Sequence, residues 1–500
     1  MSTVAVVGAG IAGLSAACHL LGRGHEVVLL ERHGAPGGRG LRVRQDGFTF
    51  DTGPTVMTMP DLVDDALRAA GSSLAEALPM RRLDPAYRAR FADGSQIMVR
   101  HGVEAMREEI ARTCGSVDAA AFEDFVTWLR RLYVVEMPNF IDVNYDSPLD
   151  LLSRPLAAAR LVRLGAFGRL GPTIRRWFQD ERLHRLFTFQ ALYAGLPPER
   201  ALALYAVITY MDSIEGVYFP EGGMDAVPAA LASAATKAGA DLRFDASVER
   251  LLLDRDGRIA GVELTDGEKV RADAVVCTVD LPVAYETLLP QMTPPRVVRR
   301  GTYSPSAVVW HVGAKGLPAP GTSHHNIHFG EDWNGAFDAL IRDGTLMPDP
   351  SRLVSVPTVT DPSLAPEGAS TLYVLEPVPN LSAGIDWTRQ REPMRERLLA
   401  FLETNGYPTD IVSERLVTPL EWRDLGMHEG TPFALAHTFR QTGPFRPGNL
   451  ERRVPGLVFA GSGTVPGVGV PMVLISGKLA ADRLEDYLPS PRRATSGPIR

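Results

Sequence analysis

Apolar residues follow a strand, helix, strand order at the start of the chain. Residues 3–10 (TVAVVGAG) form a β-branched run that ends in glycine, and residues 25–32 (HEVVLLER) form a second apolar run. Between the two runs, apolar residues recur at helical spacing, at Leu14, Ala17, Leu20 and Leu21. A continuous β-branched run is typical of a strand buried in a parallel sheet, so this pattern predicts a βαβ unit.

Later segments show three further patterns. Residues 104–215 look mostly helical, whereas residues 300–380 alternate β-branched and aromatic residues as strands do. Residues 241–279 predict strands joined by two hairpin turns, at Asp256-Gly257 and Asp266-Gly267. Residues 456–487 predict a strand, a glycine turn and a helix, and we expect that strand to join the sheet that the first strand begins.

Three glycines connect the first predicted strand to the first helix with the spacing Gly8-x-Gly10-x-x-Gly13. Gly8 permits the tight turn, Gly10 lets a pyrophosphate approach the backbone, and Gly13 lets helix and strand pack closely. Glu31, at the end of the second strand, can accept hydrogen bonds from ribose hydroxyls. Together these features predict a dinucleotide site. Because Glu31 would repel a 2′-phosphate, we expect an unphosphorylated ribose despite the adjacent Arg32.

A second glycine turn lies beyond this unit. Gly37 and Gly38 precede Arg39, a cation suited to a further contact with the diphosphate. Residues 47–51 (GFTFD) then alternate like a half-buried strand. Nicotinamide-dependent enzymes have no need of this extension, so it sets the chain apart from them.

Composition and charge exclude several other classes. The 500 residues are 45% hydrophobic and 22% charged, which is typical of a globular protein. A net charge of −7 disfavours a protein that acts on nucleic acid. Three distant cysteines suggest neither a disulfide framework nor a metal site and suit a reducing cytoplasm. We expect no bilayer-spanning segment, no signal peptide and no glycan at the sequon of Asn380. The cysteines are Cys18, Cys114 and Cys277.

Five stretches of the chain resemble one enzyme family. They are residues 34–63 (beginning GAPGGRG), 187–231, 323–340, 361–381 and 456–484 (beginning GLVFAGSGT). The first and last resemble the flavin amine-oxidase-type superfamily, and the middle three resemble the bacterial phytoene desaturases within it. The resemblance implies an α/β fold with a Rossmann-like, discontinuous FAD-binding domain. It further implies a mixed-sheet substrate domain and a helical, membrane-docking subdomain.

The resemblance also implies which residues bind FAD. The strand that contains Val248 supplies backbone contacts to the adenine, and the turn after the last strand reaches the flavin ring. Relatives often have a small residue and then glycine where this chain has Val468 and Met472, so we expect a different wall near that ring. The expected FAD-binding residues are Gly8, Gly10, Ile11, Ala12, Gly13, Glu31, Arg32, Gly37, Gly38, Arg39, Thr55, Val248, Gly461, Ser462, Val468, Val470, Pro471 and Met472.

The predicted domains interleave along the chain. Three separate pieces, residues 1–75, 216–290 and 440–487, are expected to form the FAD-binding domain. Residues 76–103 and 291–439 are expected to form the substrate domain, and residues 104–215 the helical subdomain. Residues 488–500 are polar and contain prolines, so we expect a disordered tail there.

A basic stretch interrupts the helical region. Residues 151–179 contain no acid, and their apolar residues alternate with six arginines before Trp177 and Phe178. This pattern is typical of a helix that lies in the headgroup plane of an anionic membrane. The alternative is a solvated helix whose arginines pair with acids elsewhere. A polyene substrate has to come from the bilayer, so we expect residues 151–180 to dock on the inner face of the cell membrane. The arginines are Arg154, Arg160, Arg163, Arg169, Arg175 and Arg176.

The implied activity is FAD-dependent desaturation of phytoene, towards neurosporene or lycopene. Hydride transfer to the flavin and loss of a neighbouring proton complete each double bond, so the protein mainly supplies orientation and a dry tunnel. No proton acceptor can be named from the sequence, and the catalytic residues are left open. Six residues are candidates for the tunnel wall: Phe187, Phe189, Tyr193, Tyr205, Tyr210 and Met211.

Several alternatives remain open at this point. His324, His325 and His328 lack the spacing and the acidic partner of a zinc site, so we expect no metal. Ser462 lies in AGSGT rather than in the GxSxG of a hydrolase. A carotene isomerase, a ketolase or a C30 desaturase would share the flavin motifs. A non-catalytic prenyl-binding protein fits the scaffold, but the intact flavin motifs argue against it. A soluble amine oxidase also fits, but the three middle stretches argue against it.

Overall fold

The structure is a computed structural model that describes residues 2–488. A disordered tail is predicted over residues 488–500. Of these, residues 489–500 lie outside the described residues, and Leu488 is buried. The strands are β1 Thr3–Val7, β2 Glu26–Leu30, β3 Arg42–Gln45, β4 Phe48–Asp51, β5 Met80–Arg82, β6 Tyr87–Arg90, β7 Gln96–Val99, β8 Tyr218–Pro220, β9 Asp241–Arg243, β10 Val248–Leu253, β11 Ile259–Leu264, β12 Lys269–Arg271, β13 Ala274–Cys277, β14 Ser306–Lys315, β15 His325–His328, β16 Arg352–Ser355, β17 Ala369–Val378, β18 Asp410–Val417 and β19 Leu457–Phe459.

The helices lie between these strands and after β19. They are α1 Ile11–Gly22, α2 Pro60–Ala69, α3 Leu74–Ala77, α4 Val103–Thr113, α5 Ser116–Glu136, α6 Pro155–Arg163, α7 Leu170–Trp177, α8 Glu181–Leu186, α9 Ala206–Thr209, α10 Ala226–Lys237, α11 Leu281–Val283, α12 Arg296–Arg300, α13 Trp333–Phe337, α14 Trp387–Thr404, α15 Pro419–Asp424 and α16 Val470–Glu485. None of the helices within residues 2–488 combines the length and the apolar character that crossing a bilayer requires.

A parallel five-stranded sheet carries the first βαβ unit, with the strand order β19-β13-β1-β2-β9. Alternate residues of β1 enter two different cores, Val4 and Val6 on the side of α1 and Ala5 and Val7 on the side of β10 and β11. Burial on both faces explains why this strand is a continuous apolar run. The predictions that residues 457–459 join this sheet and that β10, β11 and β12 form hairpins are confirmed.

Small residues let α16 approach α1 closely. A Cβ on Gly477 would lie 2.3 Å from the Ala12 carbonyl oxygen, and the Ser15 hydroxyl donates to the Leu474 carbonyl at 2.8 Å. This contact brings α16 against α1, beside the glycine turn of Gly8. Residues distant in sequence therefore border the same site.

A mixed seven-stranded sheet forms the second layer, with the order β18-β14-β17-β16-β15-β6-β7. Strands from the two segments that were predicted to form a substrate domain meet in this one sheet, since β6 pairs with β15. The helix α14 packs on one face through Trp387 and Leu398, against Trp310 and Leu372. The exact domain limits stay predictions.

The basic stretch differs from the expected single helix. It forms two short helices, α6 and α7, because Gly165 adopts a positive φ of 74° and ends the first. Phe178 is buried, and Trp177 packs against Phe125, with 6.0 Å between the ring centroids, so this aromatic pair does not face a membrane.

Candidate functional site

The first glycine turn has the close approaches that its sequence predicts. Gly8 adopts φ 102°, and a Cβ there would lie 2.4 Å from the Thr278 hydroxyl oxygen. A Cβ on Gly13 would lie 2.0 Å from the Gly8 carbonyl oxygen, which only glycine tolerates. Gly10 borders a cavity at the N-terminus of α1, where backbone N–H groups favour a phosphate.

Glu31 is buried at the end of β2 and orders the backbone around that turn. Its Oε2 accepts a hydrogen bond from the Ala9 N–H at 2.7 Å, and its Oε1 accepts one from the His33 N–H at 3.0 Å. Each carboxylate oxygen has a further lone pair, so both can still accept from ribose hydroxyls. Arg32 is turned away from this carboxylate, since its guanidinium donates to the Leu425 carbonyl at 2.5 Å.

The second glycine turn lies directly against the first. Gly37 and Gly38 have positive φ values of 143° and 59°, and a Cβ on Gly38 would lie 3.1 Å from the Gly10 Cα. Arg39 reaches across to the last part of the chain, where its guanidinium donates to the Ser462 hydroxyl at 2.8 Å and to the Pro432 carbonyl at 2.9 Å. The two glycine turns and the C-terminal turn therefore border one space.

The C-terminal block supplies a second helix N-terminus. Gly469, with φ 114°, precedes α16, and Pro471 lies in its first turn. Gly467 packs so closely on the His437 ring that a Cβ would lie 2.2 Å from His437 Cε1. The open N–H groups at the start of α16 thus face the same cavity as those of α1, and they favour an electron-rich or anionic ligand.

One cavity of about 1070 Å³ contains nearly the whole predicted site. Gly13 is the exception, because it packs α1 against β1 instead of lining the cavity. The predicted residues that line the cavity are Gly8, Gly10, Ile11, Ala12, Glu31, Arg32, Gly37, Gly38, Arg39, Thr55, Val248, Gly461, Ser462, Val468, Val470, Pro471 and Met472. Paired helix N-termini, stacked glycines and a buried ribose acceptor fit a flavin dinucleotide. That these residues bind FAD stays a prediction.

The same cavity continues between the helical region and the mixed sheet, where aromatic and aliphatic side chains line it. Four of the six predicted tunnel residues lie on this wall: Phe189, Tyr193, Tyr205 and Met211. The assignment of Phe187 and Tyr210 to the wall is wrong. Phe187 is fully buried against Phe178 and Phe125, each with 5.1 Å between ring centroids, and Tyr210 packs on Tyr133 at 4.9 Å.

Two buried acids on this wall, Glu136 and Asp212, were not predicted from the sequence. Burial raises the pKa of Glu136 well above its usual range, and burial raises the pKa of Asp212 to about 7. Both side chains line the cavity. The available signal was an acid inside an otherwise apolar segment, as in VVEMP and TYMDSI. A buried acid at such a position is a candidate for proton transfer.

The three histidines serve the mixed sheet. His324 hydrogen bonds to the Thr360 hydroxyl at 2.8 Å, His325 to the Ser355 hydroxyl at 2.7 Å and His328 to the Tyr407 hydroxyl at 2.9 Å. Burial lowers the pKa of each ring, so all three are neutral at pH 7. Over residues 2–488, these and the other histidines, cysteines and acids form no cluster of metal-ligand type.

Comparisons with known proteins agree with this geometry. Residues 11–484 match the family of flavin containing amine oxidoreductases. The chain is 51% identical to a phytoene dehydrogenase of Streptomyces griseus, over 99% of this chain and 97% of the relative. It is 38% identical to a zeta-carotene-forming phytoene desaturase of Myxococcus xanthus, over 99% of this chain and 97% of that relative.

A solved structure shows the same fold. An oxidoreductase of Methanosarcina mazei covers 95% of this chain with 99% of its own length, at a TM-score of 0.64 and 19% identity. The family match, the cavity and the two glycine turns together make the chain an FAD-dependent oxidoreductase. The chain belongs to the phytoene desaturase family of the flavin-containing amine oxidoreductases.

Proposed function

We propose that this protein is an FAD-dependent phytoene desaturase of carotenoid biosynthesis. The observation that carries the proposal is the single cavity, which joins the dinucleotide site to an apolar, aromatic-lined space of a size for a long hydrocarbon. The identity to desaturases over nearly the full chain supports the same substrate class. FAD supplies an acceptor for hydride from a C–H bond beside the polyene, which no side chain can provide.

The chain's own residues would hold the cofactor at both ends. The N–H groups at the start of α1 and the turn at Gly37 and Gly38 would bind the diphosphate, and Glu31 would bind the ribose. The strip that leads into α16, with Val468 and Met472, would border the flavin ring. This strip faces the apolar part of the cavity, so a polyene there would lie against the ring with water excluded.

The apolar part of the cavity would orient the polyene by its shape rather than by charge. Phe189, Tyr205 and Met211 present rings and a thioether to the cavity, and such groups contact a polyene without competing polar atoms. A rigid apolar channel would fix which C–H bond reaches the flavin, and this positioning is the main contribution the protein can make to the rate.

Expression in a bacterium that accumulates phytoene tests this proposal. Chromatography and absorption spectra should show carotenes with lengthened conjugation, and the spectrum counts the new double bonds. Unchanged phytoene from a protein that retains its yellow FAD absorption would contradict it, and would point to another polyene substrate or to isomerisation. A protein purified without flavin would contradict the cofactor assignment.

We further propose that the surface around α6 docks on an anionic membrane. Leu149, Leu152 and Leu156 expose 71%, 74% and 76% of their surface, although leucine is usually buried. Leu151 and Leu161 of the same segment line the cavity. A polyene could therefore pass from the bilayer into the cavity without crossing water.

The charges and a second loop support this docking. Arg160 and Arg163 form no ion pair with any acid in the part of the chain that the structure describes. Arg175, by contrast, pairs with Glu199 at 2.5 Å, as the alternative of a solvated helix requires. Phe439 and Phe445, with ring centroids 5.7 Å apart, are exposed, and the short helix that contains Phe445 contacts the segment before α6.

Sedimentation with vesicles tests the docking. We expect binding to vesicles that contain phosphatidylglycerol and weaker binding to phosphatidylcholine alone, at about 1 kcal/mol per arginine near the surface. The double variant Arg160→Ser, Arg163→Ser should lose most of this binding. The matched control is Arg175→Ser, which removes a paired arginine and should bind as wild type does. Equal binding of the double variant and the control would refute the docking.

A further inference from the structure

Asp212 is a carboxylate buried in the wall of an otherwise apolar channel. It exposes 3% of its surface and lies on the turn that follows α9, beside the channel residue Met211. The Ser213 hydroxyl donates to Oδ1 at 2.7 Å. The Gln190 amide donates at 3.3 Å to Oδ1 and at 3.4 Å to Oδ2, so Oδ2 receives only the longer of these contacts. One oxygen thus retains capacity to accept a proton.

The neighbours of Asp212 hold it in place without a positive charge. The Thr209 hydroxyl donates to Gln190 Oε1 at 3.3 Å, which fixes the amide with its N–H₂ towards the carboxylate. The titratable groups around it are the hydroxyls of Tyr87 and Tyr193. Beyond Tyr87 lies the His325 ring, whose centroid is 5.7 Å from that of the Tyr87 ring. Burial lowers the pKa of His325, so that ring is neutral and cannot pair with the carboxylate.

Contacts place Asp212 near the strip that borders the expected flavin ring. Tyr193 lies beside Asp212, and the next residue, Ala194, accepts a hydrogen bond from the His437 N–H at 2.8 Å. The His437 ring packs on Gly467, at the start of the loop that leads into α16. The carboxylate and the expected flavin ring therefore border neighbouring parts of one cavity.

We infer that Asp212 is the proton acceptor of the desaturation step, an inference that rests on the function proposed above. In that step one C–H bond breaks and its electron pair leaves with the hydrogen as hydride to FAD, so the substrate is oxidised and FAD is reduced. The neighbouring C–H bond breaks, its electron pair becomes the second bond of the new C=C, and its proton goes to Asp212 Oδ2. The resulting acid returns the proton to water between turnovers.

The protonation state suits this role. Burial raises the pKa of Asp212 to about 7, so the carboxylate is partly ionised at neutral pH and becomes fully ionised above it. A general base works best when its pKa lies near the operating pH. The rate of proton removal should therefore rise with pH through about 7 and then level off. Glu136 is the other buried acid on the apolar part of the wall, and burial raises its pKa well above its usual range, which favours its protonated form.

Anaerobic single turnover with phytoene in detergent micelles tests the inference, followed by bleaching of the flavin absorption between pH 5.5 and 8.5. We expect Asp212→Asn to slow bleaching at pH 8 by more than tenfold, since loss of a general base typically costs about 10²- to 10⁴-fold in rate. FAD content should stay equal to that of wild type. A rate within tenfold of wild type would overturn the inference. If wild type itself leaves phytoene unchanged, the proposed function fails instead.

Two further measurements do not depend on the rate of Asp212→Asn. Ser213→Ala keeps the carboxylate but removes its shortest hydrogen bond, so the midpoint of the pH profile should rise by about one unit. Infrared difference spectra of the holoprotein between pH 5.5 and 8.5 should show a carboxyl that titrates near pH 7, absent in Asp212→Asn and retained in Glu136→Gln. An unshifted profile in Ser213→Ala, or a band that persists in Asp212→Asn, would overturn the inference.

Discussion

The cost of burying Asp212 predicts that its removal stabilises the protein, and the effect depends on pH. The pKa rises from 3.8 to about 7 because the channel wall desolvates the carboxylate, and the hydrogen bonds from Ser213 and Gln190 only partly offset this. A shift of about three pKa units corresponds to about 4 kcal/mol between the two protonation states. Asn has nearly the same shape and carries no charge, so Asp212→Asn avoids that cost.

The sign follows from proton linkage. A folded-state pKa above the unfolded value means that the unfolded state ionises first, so wild type loses stability as pH rises from about 4 to about 7. The variant lacks this loss. Between pH 5 and pH 8 the difference in unfolding free energy should widen by about 3 kcal/mol in favour of the variant. For a chain of this length that corresponds to a relative rise in Tm of about 3 °C.

Thermal unfolding of the two holoproteins at several pH values measures this effect directly. Asp124→Asn is the matched control, since it removes an acid from an exposed position on α5 and its stability difference should stay flat with pH. A gap between Asp212→Asn and wild type that is constant from pH 5 to pH 8 would refute the reasoning. It would mean that the carboxylate is solvated in the folded protein, which would also weaken its assignment as a base.

Three further predictions concern the cofactor site and the channel. Gly8→Ala should lower the FAD content, because the new Cβ would meet the Thr278 hydroxyl. The measurement is the ratio of flavin absorbance at about 450 nm to protein absorbance. The control Gly34→Ala, whose Cβ would have nothing nearer than 3.7 Å, should keep wild-type FAD content. Glu31→Gln should raise the Kd for FAD by about tenfold or more, because the amide N–H₂ would face the N–H of Ala9 or of His33 and leave that donor without an acceptor. The exposed Glu26→Gln should leave this Kd unchanged. Phe187→Leu should cost about 1 kcal/mol of stability with an unchanged product pattern, and Phe189→Leu should change the carotenes formed; the reverse outcome would contradict their placement.

The dinucleotide half of the site could be predicted because its information is local. Gly8, Gly10 and Gly13 occupy positions where backbone contacts demand glycine, and those demands recur wherever a strand, a tight turn and a helix meet. The C-terminal strip is distant in sequence, but its glycine turn and helix repeat the same geometry. The sequence could not reveal that Arg39 and Ser462 hydrogen bond across the cavity, because that pairing depends on the whole sheet.

The channel wall was harder to predict because its segments are irregular. Phe187 and Phe189 lie two residues apart in a stretch of short turns with neither helical nor strand periodicity, so nothing in the pattern separates the core residue from the wall residue. The expectation of a single helix in the basic stretch was wrong for a different reason. Its composition suits a membrane-facing helix, but Gly165 divides it and the aromatic pair at its end packs inward. Asp212 was missed because one acid in an apolar segment has no spacing to recognise.

The order of strands in the five-stranded sheet has a consequence for biosynthesis. β1 lies between β2, which the ribosome makes next, and β13, which pairs in turn with β19 near the end of the chain. At translation rates of about 5 to 20 residues per second, roughly 20 to 90 s separate the synthesis of Gly8 from that of Ser462. During that time the apolar faces of the nascent β1 and α1 have no α16 to cover them. Loading of the cofactor therefore has to wait until α16 has been synthesised.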